Sequence, residues 1–276
     1  MNKKLKVLIP TDFSIQAEYA FILVDKIRQQ TELEVHFLHV MNFPDTVTIS
    51  DMGEITTCGE IDKEYVSVQR DMASKKLRHI QDEYGKDVHT HIRIGATNET
   101  IVDFAEKHSF DLIAMGTKGA TGFFERLAGS ETQIVARKSK VPVLSLMCNR
   151  SDLAIKRILL VHQFEDKHHQ DLYLLKRFLL NFNAELHLLQ ISKTGMDAEK
   201  IVKNMHDFAK EHGLENIQTH VIKDTDVENG VIHFNQMIDM DLVCIGTYGK
   251  GGFFHSSATE KLINHLYKPI ISFHLN

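Results

Sequence analysis

A glycine-rich stretch in the first half of the chain has the residue types and spacing of a phosphate-binding loop. Gly116, Gly119 and Gly129 allow the backbone to turn tightly and to approach a ligand closely. Ser130 opens a predicted helix, and free amide groups at a helix start bind phosphate together with the positive end of the helix dipole. The hydroxyl groups of Ser130 and Thr132 add further donors for phosphate oxygens. The stretch therefore predicts a phosphate cradle.

A lone carboxylate follows the first apolar run of the chain. Asp12 comes directly after Pro10 and Thr11, so it is predicted to lie at the carboxyl end of a strand. In an open parallel sheet, ligands bind beyond these strand ends, where the strand order reverses. The carboxylate can accept hydrogen bonds from a base amino group or a ribose hydroxyl. It can equally cap a helix that starts near Ser14, and the sequence leaves both roles open.

These residues belong to a chain of 276 residues that repeats itself. A chain of this length corresponds to about two domains of ordinary size. The halves share four pairs of similar runs, which are 6–13 with 157–164, 34–40 with 185–191, 111–119 with 241–249, and 141–143 with 268–270. The offset is 151 residues for the first two pairs, 130 for the third and 127 for the last. The second half has therefore lost residues after its second strand.

The repeated pattern predicts the α/β fold class. The short apolar runs are typical of parallel strands, and the segments 14–30 and 63–84 have the apolar stripe of amphipathic helices. Strands that alternate with helices pair in parallel through right-handed crossovers. We therefore predict two tandem, doubly wound, Rossmann-like domains at residues 1–148 and 155–276. Residues 41–62, which the second half lacks, are predicted to form a long loop.

Composition disfavours several classes of function. The 32 Lys and Arg residues against 37 Asp and Glu give a net charge of -5, which argues against a nucleic-acid partner. No apolar run approaches the roughly 20 residues of a membrane span, and no signal peptide is recognised, so a cytoplasmic protein without a membrane partner is expected. Three cysteines without a CxxC pair argue against a disulfide framework. The 17 histidines show no HExxH or other metal-ligand spacing, so no metal site is predicted.

The glycine-rich stretch resembles the motif of a known family. It reads Gly116-x2-Gly119-x9-Gly129-Ser130, which fits without gaps the nucleotide motif G-x2-G-x9-G-[ST] of the universal stress protein (UspA) family. Further runs similar to that family are 9–14, 38–40 and 141–144. Because the chain is a repeat, it resembles a tandem universal stress protein.

The resemblance implies a fold, a ligand and a set of binding residues. The fold is a sheet of five parallel strands in the order 3-2-1-4-5 in each half. The ligand is ATP or another adenine nucleotide, with or without Mg²⁺. By position, the implied adenine and ribose contacts are Pro10, Thr11, Asp12, Val40, Met115 and Gly116, and the implied phosphate contacts are Gly119, Gly129, Ser130, Glu131 and Thr132.

The resemblance also implies how domains associate. In the family, the last strands of two domains pair antiparallel, and residues 143–147 and 270–274 can do so within this one chain. A further dimer of two chains is also implied.

The second half departs from the family motif at the binding positions. Gln163 stands where the first half has Asp12, and His162 stands where it has Thr11. The loop after its fourth strand is three residues shorter, and Ser256 replaces the last glycine. We predict a degenerate copy that stabilises the pair. In that copy, Ser257 and Thr259 are relics of the Ser130 and Thr132 positions. The alternative, a different small ligand, is left open by His162, His255 and the remaining glycines.

No signature of efficient catalysis is present, so no catalytic residue is predicted. The chain has no GxxxxGK[ST] loop, no HxGH-like segment after the first strand and no GxGxxG there. We predict a non-enzymatic, ATP-binding universal stress protein that holds nucleotide in its first half and acts as a stress-response or signalling module. Two alternatives stay open, which are a nucleotide-free interaction module with the same fold and a weak ATP hydrolase.

Overall fold

The computed structural model describes residues 3–44, 46–50, 54–58, 61–85, 87–117, 131–164, 172–192, 197–248 and 256–275. The first half contains strands β1 (Leu5–Pro10), β2 (Leu33–Met41), β3 (Val47–Ile49), β4 (Ile55–Thr57), β5 (His89–Ile94), β6 (Leu112–Gly116) and β7 (Val143–Leu146). Its helices are α1 (Ile15–Arg28), α2 (Lys63–Tyr84), α3 (Thr97–Lys107) and α4 (Glu131–Lys138). The second half contains β8 (Arg157–Val161), α5 (Tyr173–Phe182), β9 (Glu185–Ser192), α6 (Ala198–Glu211), β10 (Ile217–Lys223), α7 (Val227–Met237), β11 (Leu242–Tyr248), α8 (Ser256–His265) and β12 (Ile270–Leu275).

Polar side chains set the starts of the first two helices. The Ser14 hydroxyl accepts a hydrogen bond from the N–H of Ala17 at 3.4 Å, and α1 begins at the next residue. Asp62 accepts from the N–H of Glu64 at 2.8 Å at the start of α2. These side chains satisfy amide groups that have no partner inside the helix. The bounds of α2 agree with the predicted segment 63–84.

Ten strands form one sheet in the order β10-β9-β8-β11-β12-β7-β6-β1-β2-β5. Within each half the strands are parallel and follow the order 3-2-1-4-5, counted along the five sheet strands of that half. This arrangement confirms the predicted α/β fold class. In the first half β1 pairs with both β2 and β6, so the chain moves outward on one side of β1 and returns on the other. The gap between β1 and β6 is therefore a switch point of the type that binds ligands.

The two halves join through an antiparallel strand pair. Strand β12 pairs with β7, with Ser272 opposite Val143 and Ile270 opposite Ser145. Each serine hydroxyl donates a hydrogen bond at 3.3 Å to the carbonyl oxygen of the residue opposite, Ser145 to Ile270 and Ser272 to Val143. The predicted pairing of the last strands is confirmed, and these reciprocal side-chain bonds add to the backbone pairing.

Helices cover both faces of the sheet. One apolar cluster holds buried side chains of α1, α2, α5 and α6, including Phe21 and Phe178. A second cluster holds those of α3, α4, α7 and α8, including Val135 and Phe234. Successive residues of β1 belong to different clusters, which shows that the clusters lie on opposite faces. Both clusters contain residues from the two halves, so the core continues across the joining strands.

The connection between the halves contributes to this core. Leu153 is only 3% exposed, although the segment 149–154 is mostly polar. On the same side of the molecule, Arg177 donates to the carbonyl oxygen of Lys3 at 3.1 Å, and Asn181 donates to Thr31 Oγ1 at 3.1 Å. Helix α5 is thus tied to the first half, and the division into domains at 1–148 and 155–276 stays a prediction from the repeat.

The segment predicted as a long loop contains a short hairpin. Strands β3 and β4 pair antiparallel, with Val47 opposite Thr57 and Ile49 opposite Ile55. Val47 is 2% exposed, so burial of this side chain holds the hairpin against the domain. The prediction missed the hairpin because each strand has only three residues, too few for a recognisable period. Among the described residues, no helix is both long and apolar enough to cross a membrane.

Candidate functional site

The chain turns sharply where β1 ends. Thr11 donates its N–H to the carbonyl oxygen of Leu38 at 2.9 Å, which extends the pairing of β1 with β2 by one residue. The Thr11 hydroxyl then accepts the N–H of Phe13 at 3.0 Å. Phe13 has a φ of 64°, a left-handed conformation that costs a non-glycine residue about 1 kcal/mol. Strain of this kind is concentrated at ligand sites.

Asp12 lies in this turn and does not cap the helix. Its Oδ1 accepts the N–H of Ser14 at 2.9 Å, whereas the cap of α1 is the Ser14 hydroxyl itself. Asp12 is exposed at the carboxyl edge of the sheet. The capping alternative is therefore wrong as stated, and the carboxylate shapes the turn that precedes the helix.

A histidine of β2 supports the same turn. His39 Nδ1 lies 2.8 Å from the carbonyl oxygen of Thr11. Because a carbonyl can only accept, Nδ1 carries the proton of this ring. Burial lowers the pKa of His39, so the ring is neutral near pH 7. Val40, the next predicted contact, is half-buried on β2 and packs against the second apolar cluster.

Strand β6 ends beside β1 with the predicted residues Met115 and Gly116. A Cβ built on Gly116 would lie 1.9 Å from the carbonyl oxygen of Gln16, which is too close for any side chain. The glycine therefore lets α1 approach the end of β6. The next residue, Thr117, continues the pairing with β7 by donating its N–H to the carbonyl oxygen of Leu146 at 2.8 Å.

The first turn of α4 returns to this strand end. Thr132 is buried, and its hydroxyl donates to the carbonyl oxygen of Gly116 at 3.0 Å. The pKa of the neighbouring Glu131 is raised first by loss of hydration and then by the negative charge of Asp12. Because the charge of Asp12 acts on Glu131, the two carboxylates lie within electrostatic reach of each other. The start of α4, the end of β6 and the turn after β1 therefore converge.

The predicted phosphate loop lies outside the described residues. Gly119, Gly129 and Ser130 fall in the segment 118–130, so the structure brings together only the residues on either side of it. In the second half, His255 and the side chain of Ser257 are likewise outside the described part of the chain.

A cavity that the sequence did not indicate lies between α1 and α2. Its volume is about 660 Å³, and it shares Thr11 with the turn after β1. The other lining residues are Phe13, Ser14, Ala17, Glu18, Phe21, Phe37, Met72, Lys75, Lys76, His79, Ile80, Glu83 and Tyr84. Lys76 Nζ lies 4.8 Å from the centre of the Phe13 ring. The sequence signal for this wall is the group of three basic side chains, Lys75, Lys76 and His79, within five consecutive residues of α2.

The equivalent place in the second half is packed with aromatic rings. His162 corresponds to Thr11 in the repeat and is 1% exposed. Its ring lies 5.6 Å from that of Phe208 and 5.3 Å from that of Phe164. Burial lowers the pKa of His162 to about 4, so the ring is neutral. Phe208 corresponds to Ile80 of the first half, because the buried residues Ile201 and Met205 of α6 follow Ala73 and Leu77 of α2 at the same offset.

The fold defines a class of protein, a tandem doubly wound α/β protein with a switch point between β1 and β6 of its first half. The sequence model of the universal stress protein family matches residues 5–146, which is more than half of the chain. The chain belongs to the universal stress protein family.

Two relatives from Methanocaldococcus jannaschii, universal stress proteins MJ0531 and MJ0577, are each 33% identical to the chain, over 143 and 149 residues. These alignments cover 52% and 50% of the chain, and 82% and 92% of the relatives. A solved universal stress protein from Archaeoglobus fulgidus has a TM-score of 0.73 at 20% identity, covering 98% of this chain and 96% of that one.

The cytoplasmic domain of a prokaryotic cation chloride cotransporter has a TM-score of 0.52 at 14% identity, covering 98% of this chain and 95% of that domain. At these identities the two structures show the fold alone, and both show it over nearly the whole chain.

Proposed function

We propose that the first half binds ATP or another adenine nucleotide at the carboxyl edge between β1 and β6. The observation that supports this most strongly is the convergence of the Asp12 turn, the Gly116 strand end and the first turn of α4 at one switch point. Ligands of open α/β sheets bind at such points. Membership of the universal stress protein family and the intact glycine motif support the same ligand class.

Each described residue has a proposed role that follows from its chemistry. Asp12 accepts hydrogen bonds from the base or the ribose, and Gly116 gives the sugar access to backbone. Asp12 and Glu131 together supply carboxylate oxygens of the kind that Mg²⁺ prefers. Helix α4 directs its positive end toward the phosphates. The full proposed set is Pro10, Thr11, Asp12, Val40, Met115, Gly116, Gly119, Gly129, Ser130, Glu131 and Thr132.

The second half is proposed to bind no nucleotide. His162 and its two phenylalanine neighbours occupy the space beside the end of β8 that is a cavity beside the end of β1. Gln163 supplies no negative charge where the first half has Asp12. The role proposed for this half is to stabilise the first half, through the pairing of β12 with β7 and the hydrogen bonds of α5.

We propose that the chain is a nucleotide-responsive stress-response or signalling module, without efficient catalysis. A bound nucleotide is proposed to order the segment 41–62 and the glycine-rich loop, and so to change the surface offered to partners. A ligand shifts the equilibrium between two conformations of this surface only by the difference between its affinities for them. Weak ATP hydrolysis and a dimer of two chains are both compatible with this proposal, and each needs its own measurement.

The experiment is a count of bound nucleotide. The chain is purified under native conditions and denatured, and the released nucleotide is identified by chromatography and mass spectrometry. ATP is then titrated into the emptied protein by calorimetry. About one nucleotide per chain is expected. Two per chain would contradict the assignment of the second half, and none, together with no calorimetric binding, would favour the nucleotide-free interaction module.

A further inference from the structure

Two histidines and a glutamate meet at the amino-terminal ends of β2 and β5. Glu34 and His36 are two residues apart on β2, so their side chains leave the same face of the sheet. His89 is the first residue of β5 and pairs with His36 in the parallel register. One potential ligand atom from each residue lies within 4.8 Å of the other two. This edge is opposite to the edge that holds the candidate nucleotide site.

We propose that Glu34, His36 and His89 form a binding site for a divalent transition-metal ion, for which Zn²⁺ is the best match. Imidazole nitrogen and carboxylate oxygen are both ordinary ligands of Zn²⁺, and three protein ligands leave one position for water. Tetrahedral Zn²⁺ with bonds of about 2.0–2.1 Å places its ligand atoms roughly 3.3 Å apart. The Glu34 Oε1 atom lies 2.7 Å from His36 Nε2 and 4.0 Å from His89 Nε2, on either side of that separation.

The three side chains differ in how firmly they are held. His36 is the fixed ligand, because its side chain is 8% exposed and its ring packs edge-on against Phe110 at 4.9 Å. The side chains of Glu34 and His89 are 41% and 52% exposed, so both have room to close around an ion. A site with one buried anchor and two adjustable ligands needs only side-chain rotations to reach tetrahedral geometry.

A third histidine, His91, contacts the ring of the anchor and sets its orientation. His36 Nδ1 lies 2.9 Å from Nε2 of His91. Metal-binding histidines commonly donate their other ring N–H to such an acceptor. The Nε2 atom of His91 can accept this proton when His91 carries its own proton on Nδ1. Without metal, the same geometry allows His91 to donate to His36, and His36 to donate to Glu34.

Metal binding therefore changes which ring nitrogen carries the proton in His36 and in His91, and it leaves the charge of both rings unchanged. The ion takes the place of the proton between His36 Nε2 and Glu34 Oε1. That proton leaves to solvent, the proton between the rings moves from His91 Nε2 to His36 Nδ1, and His91 takes up a proton on Nδ1. Both rings stay neutral and the number of bound protons is unchanged. Coordination of neutral imidazole is the usual form of a histidine ligand.

The second half supplies an internal control. It repeats the glutamate and both paired histidines as Glu185, His187 and His220, with His187 Nδ1 at 3.0 Å from His220 Nε2. His187 Nε2 lies 3.4 Å from a carboxylate oxygen of Glu185. However, Gln218 pairs with His187 where His89 pairs with His36. The paired histidines are thus a shared structural feature, and the third metal ligand is present in the first half alone.

The proposed ion joins β5 to β2 at the outer edge of the sheet. Among the described strands, β5 pairs with β2 alone, so a bridge from His89 to β2 stabilises the edge of the sheet. Ligand binding to the folded state raises the free energy of unfolding by mass action. Zn²⁺ is therefore expected to raise the thermal unfolding midpoint.

The test is a calorimetric Zn²⁺ titration of the untagged, nucleotide-free and chelator-treated chain. One tight Zn²⁺ per chain is expected. His89→Gln copies the second half and is expected to weaken that binding at least about tenfold, the scale of losses in metal-site affinity. Gln218→His supplies the missing ligand in the second half and is expected to raise the stoichiometry toward two. His206→Gln, at an exposed histidine of α6, is the matched control and is expected to bind like the parent.

Co²⁺ reports the coordination geometry of the bound ion through its absorption spectrum. Tetrahedral Co²⁺ absorbs visible light far more strongly than the hexa-aqua ion, so the parent is expected to develop a strong band that His89→Gln lacks. Equal Zn²⁺ affinity of the parent and His89→Gln would overturn the proposal. So would the absence of tight binding, or equal weakening by His206→Gln. Circular dichroism of His89→Gln checks that the variant is folded, which is expected because His89 lies on an exposed edge.

Discussion

Gly116 approaches the backbone of Gln16 so closely that an added Cβ would lie 1.9 Å from the carbonyl oxygen of Gln16. This contact joins the end of β6 to the first turn of α1. The contact borders the candidate nucleotide site, because Asp12 comes just before α1 and Thr132 bonds to Gly116 itself.

Gly116→Ala is expected to destabilise the fold by about 3 kcal/mol, since the extra methyl group meets backbone that cannot rotate aside. Nucleotide binding should be lost with it. The measurement is urea unfolding followed by circular dichroism. Gly213→Ala is the comparison, because Gly213 has a φ of 61° and no described atom within 4 Å of an added Cβ. That variant should cost about 1 kcal/mol from backbone strain alone. Equal costs for the two variants would contradict the steric explanation.

Asp12→Asn is expected to weaken nucleotide binding by about tenfold or more, because a hydrogen bond to a charged group contributes roughly 1.5–3 kcal/mol. The asparagine retains an oxygen that can accept the N–H of Ser14, so the turn and the stability should be preserved. Calorimetric titration with ATP measures the effect. Gln163→Ala, at the equivalent position of the second half, should leave the affinity unchanged. A loss of ATP affinity in Gln163→Ala but not in Asp12→Asn would show that the nucleotide binds to the second half and contradict the assignment to the first.

Thr132→Val is expected to cost about 1–3 kcal/mol of stability, because it leaves the carbonyl oxygen of Gly116 without its side-chain donor. The chain contains its own control in Thr259, which occupies the repeated position and is 2% exposed. Its hydroxyl has no hydrogen-bond partner among the described residues. Thr259→Val should therefore be neutral or stabilising in the same unfolding assay. A larger cost at Thr259 than at Thr132 would contradict the assigned bond.

Acid should destabilise the second half through His162. The ring is neutral in the fold with a pKa of about 4, whereas an unfolded histidine has a pKa of about 6.5. Below the unfolded value the unfolded chain binds the extra proton, so stability falls as the pH drops from 6.5 toward 4. The loss reaches about 3 kcal/mol at most.

Unfolding midpoints between pH 7 and pH 4.5 test this dependence. His162→Leu should flatten the curve in that interval, because leucine fills a similar volume and binds no proton. An unchanged slope in His162→Leu would assign the acid sensitivity to other groups.

Local patterns accounted for much of the fold. The predicted bounds of α2 and the alternation of strands and helices agree with the structure because each depends on a period within one segment. The glycine motif indicated the family for the same reason, since all of its residues lie within the one segment 116–130. The antiparallel pairing of residues 143–147 with 270–274 was predicted from the resemblance, and it is confirmed for residues 143–145 with 270–272.

The parts that sequence reasoning missed are formed by distant segments. His36 and His89 are far apart in the chain and share no ligand spacing, yet the register of β2 and β5 places them side by side. The expectation of no metal site depended on spacing within one segment. The basic residues of α2 resembled a solvated face, and only the packing of α2 beside α1 makes them the wall of a cavity.

The sequence by itself therefore determined the repeat, the α/β class, the family motif and the loss of that motif in the second half, because all of these are written in local order and periodicity. Tertiary structure alone decided the contact of Gly116 with Gln16, the filling of the second-half site by His162 and Phe208, and the meeting of Glu34 with His89. Strand register and helix packing bring these pairs together. They result from the burial of the whole core, which no single segment specifies.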